Sequence, residues 1–140
     1  MINIVIVSHA DLGDALIRAA EMIAGSTEGL YEVEALYSVP LLPGDSPESF
    51  ADKLEAVLQK LEGQETLVLI DLLGGTPYNV AARQALKENI ECVTGANLPM
   101  LLELVMSRDD VSLPELAERI AQAGRESVKN VGPLLNKRAR

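Results

Sequence analysis

The sequence predicts a doubly wound α/β domain built on a mainly parallel sheet. Two observations carry this: apolar strand-like runs alternate with segments of helical periodicity from end to end, and the helical segments open on capping residues next to proline. At 140 residues the chain is long enough for one domain with a substantial core, and we assign 1–140 to a single domain.

Each element has a local signal. Ile2 to Val7 reads as a buried first strand, with Ser8 and His9 at its C-terminal edge. Leu12, Ala15, Leu16, Ala19, Ala20 and Ile23 then fall at helical spacing, and Gly25 ends that helix. Glu32 to Val39 is a second, less cleanly patterned strand suited to an edge, followed by a loop over 40–44. Ser46-Pro47 caps and opens a helix whose stripe is Phe50, Ala51, Leu54, Val57, Leu58 and Leu61. Thr66 to Ile70 is a third strand ending at Asp71. After Gly74-Gly75, the pair Thr76-Pro77 repeats the cap-then-proline start of a helix reaching about Glu88. Ile90 to Thr94 is a fourth strand. Asn97 caps a short helix, and Ser112 to Glu115 forms a capping box for the last long one.

Composition narrows function. With 12 basic and 21 acidic residues the net charge is −9, which disfavours nucleic acid as a partner. The closing cluster Lys137-Arg138-Arg140 reads as a solvated tail. One histidine and one cysteine leave too few of the usual ligands for a zinc site, and Cys92 reads as a small core residue in a strand. No apolar run approaches a membrane span, and Met1 leads directly into a strand rather than a signal peptide. A cytoplasmic protein is expected.

The candidate site follows from topology. In the common strand order 2-1-3-4, strands 1 and 3 are neighbours, and ligands gather at their C-terminal ends. That order brings His9 and Asp71 together across more than sixty positions. A carboxylate accepting a hydrogen bond from one ring nitrogen fixes the tautomer and leaves a lone pair on the other. Gly74 and Gly75 let backbone approach a ligand, Thr76 offers a hydroxyl, and the helix start offers N–H groups. A nucleophilic imidazole beside an anion cradle suits a phosphohistidine carrier. Ser8 beside His9 raises a Ser-His-Asp hydrolase, but it lacks the Gly-x-Ser-x-Gly elbow, and adjacent strand residues point to opposite faces.

Three segments together resemble the mannose-type IIA domain of the bacterial phosphoenolpyruvate-dependent sugar phosphotransferase system. They are Ile4 to His9, Leu69 to Asn79 with its Gly-Gly-Thr-Pro-Tyr-Asn core, and Gly95 to Leu101, with Gly124-Arg125-Glu126 further on. The resemblance implies that His9 takes a phosphoryl group from the phosphocarrier protein HPr and passes it to a IIB domain. It casts Asp71 as the acidic partner of the histidine and Thr76 as the hydroxyl residue of the site. Membrane IIC and IID components are then indirect partners. No metal or other cofactor is expected, because the donor is itself a phosphohistidine. The family also implies a homodimer that exchanges a C-terminal antiparallel strand, for which 128–131 is the candidate here; the apolar face of Leu98, Leu101, Leu102 and Val105 is expected to supply contact area next to it.

Two departures stand out. The chain stops without a linker to a IIB domain, which reads as a separate IIA subunit. Leu72-Leu73 lacks an aromatic that some relatives carry. The alternatives are the phosphoryl-transfer subunit of a dihydroxyacetone kinase, which shares the strand-then-histidine start, and a non-catalytic module binding a small anion at Gly74 to Thr76. A IIA carrier never touches the sugar, so mannose, fructose, sorbose, gluconate and amino sugars are all compatible with these residues.

Overall fold

The computed structural model describes residues 1–24 and 35–136. Four parallel strands, β1 (Asn3–His9), β2 (Leu36–Leu41), β3 (Thr66–Ile70) and β4 (Ile90–Thr94), lie in the common doubly wound order 2-1-3-4 on which the expected site rests. The connecting helices are α1 (Leu12–Ala24), α2 (Pro47–Lys60), α3 (Thr76–Ala81), α4 (Leu98–Ser107), α5 (Leu113–Glu126) and α6 (Val131–Leu134). No helix among the described residues is long and apolar enough to cross a membrane.

The side-chain period of two splits the core cleanly. Ile4, Ile6, Leu67 and Leu69 face α1, α4 and α5, where Ala20, Leu101, Leu104 and Ile120 meet them. Val5, Val7, Val68 and Ile70 face the opposite layer, against Phe50, Leu54 and Leu58 of α2 and Ala81 of α3. Strands buried on both faces explain the continuous apolar runs of β1 and β3.

Several boundaries differ from the sequence reading. β2 includes Pro40 and Leu41 rather than ending at Val39; Pro40 lacks a ladder N–H, which an edge strand tolerates. Its expected start at 32–34 and the expected stop at Gly25 lie outside the described residues. Helix α3 ends at Ala81 and tightens into a 3-10 turn over Ala82–Leu86 instead of running to Glu88. In α1, Leu12 and Ile23 are about half exposed, while Gly13, Ala20 and Ala24 are buried. The reciprocal capping box forms at Ser46 and Ser49, with amide-to-hydroxyl distances of 2.9 and 3.0 Å. Ser112 caps α5 by accepting the Glu115 amide at 3.4 Å.

Two findings in the single chain bear on the expected dimer surface. Leu101 is fully buried and Val105 nearly so, both inside the α1–α4–α5 core, with Leu98 and Leu102 packed against it. Leu101 and Val105 are thus taken up by the chain's own core, while Leu98 and Leu102 stay partly exposed beside it. The strand expected at 128–131 is absent: 128–130 have no regular structure, and Val131 opens the short α6 through Gly132-Pro133. A four-residue strand needs a sheet edge to pair with, and this segment lies against none in the single chain.

The loop after β2 is tied by Asp45. Its carboxylate accepts from Lys53 Nζ at 2.5 Å, from the Leu42 amide at 2.8 Å and from Ser49 Oγ at 2.9 Å. The Lys53 bond first, then those from Leu42 and Ser49, lowers the Asp45 pKa from 3.8 to about 2. A carboxylate with a depressed pKa stabilises the fold above its unfolded pKa, and that stabilisation is lost as pH falls through the folded value. The stability gap between wild type and Asp45→Asn should therefore be full above about pH 5 and shrink steadily toward about pH 2. Urea denaturation across that range checks this; a gap independent of pH would contradict it.

Candidate functional site

His9 ends β1 and Asp71 follows β3, so the order of the strands sets them side by side. One carboxylate oxygen, Asp71 Oδ2, accepts the His9 backbone N–H at 2.9 Å and lies 2.8 Å from the ring Nδ1. The other oxygen, Oδ1, accepts the Leu72 amide at 2.9 Å. The Asp71 amide donates to Val7 O at 3.1 Å, which fixes the base of the pair to β1. An ionised carboxylate only accepts, so a neutral ring paired with it carries its proton on Nδ1 and its lone pair on Nε2.

Exposure divides the two partners. The Asp71 side chain is 6% exposed and the His9 side chain 47%. The carboxylate is thus shielded, which strengthens its hold on the ring, while the ring itself opens to solvent. A cavity of about 660 Å³ lies at the opposite, N-terminal edge of the sheet, lined by Glu55, Gln59, Lys87 and Asn89 among others. His9 is not part of it. The ring stands instead on an open edge of the sheet, at the C-terminal ends of β1 and β3.

Gly74 and Gly75 both take left-handed backbone, with φ of 91° and 85°. Gly75 also packs against the ring: a Cβ there would sit 3.4 Å from His9 Cε1 and 3.6 Å from Nε2. Its backbone therefore flanks the nitrogen that carries the lone pair. Gly75, not Thr76, is the N-cap of α3, and no side chain caps that helix. Thr76 is the first helical residue, so capping does not account for its hydroxyl. At six residues, α3 is too short for a full macrodipole, and the local amides matter more.

Sequence reasoning missed Ala10. It is left-handed at φ +50°, a conformation that costs a non-glycine residue about 1–3 kcal/mol. Its amide donates to Leu41 O at 2.8 Å, tying the turn after His9 to the end of β2. Alanine carries no sequence signal for this conformation. Cys92 behaves as expected of a core thiol: burial, then the nearby Glu91 charge, pushes its pKa up to about 11.

The geometry makes a spectroscopic prediction, helped by the chain having a single histidine. In wild type, ¹⁵N shifts of neutral His9 should report mainly the Nδ1–H tautomer. The Asp71→Asn variant should show a mixture. Identical ring shifts in the two proteins would remove Asp71 as the group that sets the tautomer.

Comparison with known proteins identifies the family. A family model described as the PTS system fructose IIA component matches residues 3–121. The PTS system mannose-specific EIIAB component of Escherichia coli (strain K12) is 37% identical over 131 residues, covering 91% of this chain and 39% of that protein. The chain thus spans well under half the length of that relative. The PTS system fructose-specific EIIA component of Bacillus subtilis (strain 168) is 33% identical over 129 residues, with 91% and 84% covered. Among solved structures, the mannose/sorbose specific IIA subunit from Enterococcus faecalis superposes with a TM-score of 0.82 at 30% identity, covering 92% of this chain and 93% of that one. The chain belongs to the mannose- and fructose-type family of phosphotransferase-system IIA components.

Proposed function

We propose that the chain is a phosphohistidine carrier, accepting a phosphoryl group from phosphorylated HPr on His9 Nε2 and passing it to a IIB component for sugar uptake. The observation that carries this reading is the His9–Asp71 pair. Nδ1 is committed to a shielded carboxylate at 2.8 Å, and Nε2 faces the Gly75 backbone on an open edge.

The step is an exchange between two histidines. The Nε2 lone pair attacks phosphorus, the P–N bond to the donor breaks, and the donor ring leaves with that electron pair. As phosphorus bonds to Nε2, positive charge builds on the His9 ring, and Asp71 stabilises it through the Nδ1–H bond. In this reading the backbone amides around Gly74 and Gly75 and the Thr76 hydroxyl meet the phosphoryl oxygens, which need donors as negative charge spreads over them. Exposed Leu12, Leu42, Leu72 and Leu73 follow the ends of β1, β2 and β3 and give the partners apolar surface around the ring. The family assignment does not favour a dihydroxyacetone kinase subunit, and an anion-binding module without chemistry has no use for an oriented nucleophile.

Incubation with phosphorylated HPr is the direct test. Wild type should gain acid-labile phosphate, and His9→Ala should gain none while keeping its fold. Labelling should persist in excess chelator, since a phosphohistidine donor supplies an activated phosphoryl group. Phosphate on the His9→Ala variant, or activity lost to chelator and restored by magnesium, would overturn the reading.

We further propose a homodimer held by the segment after α5. Val128, Val131, Leu134 and Leu135 are each more than half exposed, and the outer edge of β4 has no strand partner among the described residues. Both are surfaces that a second copy would cover. Because α5 extends to Glu126, the informative truncation ends at Ser127. Light scattering should give a dimer for the full chain and a monomer for the truncated one. A full-length monomer, or a truncated dimer of equal stability, would contradict it.

A further inference from the structure

Ser8 stands one residue before the reactive ring and faces the other way. The alternation along β1 sends Ile4, Ile6 and Ser8 toward the α1 layer and Val5, Val7 and His9 toward the α2–α3 layer. Ser8 is fully buried. Its Oγ accepts the Gly13 amide at 3.0 Å and donates to the Ala10 carbonyl at 3.3 Å. The first contact satisfies one of the unpaired N–H groups at the start of α1. The second holds the carbonyl of the left-handed residue that directly follows His9.

Gly13 makes this contact sterically possible. A Cβ at Gly13 would lie 2.8 Å from Ser38 Oγ and 3.2 Å from Ile6 Cγ2. Without one, the first turn of α1 settles onto β1 and β2, and its amide reaches Ser8. The turn over 8–13 is then pinned at Ser8 Oγ, at Leu41 O by the Ala10 amide, and at Asp71 by the His9 amide. A backbone strained beside a functional group persists only when its surroundings over-determine it.

We infer that Ser8 is a positioning residue for His9: its hydroxyl holds the left-handed Ala10 turn that keeps the imidazole between Asp71 and Gly75. The inference rests on His9 being the phosphoryl acceptor. It assigns Ser8 no contact with the phosphoryl group, since its side chain lies on the far side of the sheet. A serine that serves only as a buried cap would alter stability and leave the ring unchanged.

The test uses the full chain with Ser8→Ala, Ser8→Thr and Ser8→Val. Threonine keeps the hydroxyl, and valine is its near-isostere without one. Three quantities are read on each: the ¹⁵N shifts of the His9 ring, the rate of labelling by phosphorylated HPr, and the denaturant midpoint. Ser8→Ala should give a mixed tautomer and transfer slowed about 10- to 100-fold at saturating donor, the scale of a misplaced reacting group. The donor concentration giving half-maximal rate should change far less than the rate itself, because Leu42, Leu72 and Leu73 of the docking surface lie outside the 8–13 turn. Ser8→Thr should recover the ring shifts and most of the rate, and Ser8→Val should not. Wild-type ring shifts and rate in Ser8→Ala, at any stability, overturn the proposal. Should Ser8→Ala not fold, equal behaviour of the Thr and Val variants overturns it, and recovery by Thr alone supports it. A wild-type chain that takes no phosphate on His9 would defeat the carrier reading, and the ring shifts of the variants would still judge Ser8.

Discussion

Asp71 Oδ2 receives both the backbone N–H and the ring Nδ1 of His9, and the site is organised around that double contact. Two bonds from one residue to one oxygen fix the position of the main chain and the rotation of the ring together. The contact exists only because β1 and β3 are neighbours, which in turn needs α1 and β2 to be carried to one side of β1 and β4 to the other. The winding reverses at that point, and loops diverging from it leave an open edge. The near-complete burial of the Asp71 side chain strengthens the contact, while the His9 ring stays half exposed.

The surrounding structure is shaped by that edge. Gly74 and Gly75 allow left-handed backbone after β3, and at Gly75 that backbone passes against the ring, within van der Waals reach of Cε1 and Nε2. Ala10 takes a strained conformation that lets the chain turn directly from His9 into α1, and the end of β2 anchors it through Leu41. Asp45 and Lys53 hold the loop that follows β2, and Lys53 also donates to Pro40 O at 3.0 Å. Each of these devices lies at the C-terminal ends of the strands, whereas the layers beneath are ordinary apolar packing.

Much of this was legible in the sequence, for reasons that differ by element. β1 and β3 announced themselves because strands buried on both faces need unbroken apolar runs. The pairing of His9 with Asp71 was legible through topology alone, as nothing local connects residues so far apart. Thr76 was misread as a cap because Ser46-Pro47 sets that pattern. The common form here is cap, one residue, then proline, as in Asn97-Leu98-Pro99 and Ser112-Leu113-Pro114, which makes Gly75 the cap. The apolar stripe of α4 was read as a surface because periodicity shows that a face is buried without showing against what. The left-handed Ala10 was invisible, since its conformation is imposed by the Leu41 carbonyl and the Ser8 hydroxyl rather than by the residue itself.

The central claim is that Asp71 reserves Nδ1 and so makes Nε2 the atom that carries phosphate. Two-dimensional ¹H–¹⁵N and ³¹P spectra of the phosphorylated chain identify the bonded nitrogen directly, with no ambiguity of assignment because only one histidine is present. The account predicts a phosphorus coupling to Nε2, with Nδ1 still protonated and hydrogen-bonded. Phosphate on Nδ1 would contradict it, for that bond cannot form while the ring stands 2.8 Å from Asp71 Oδ2.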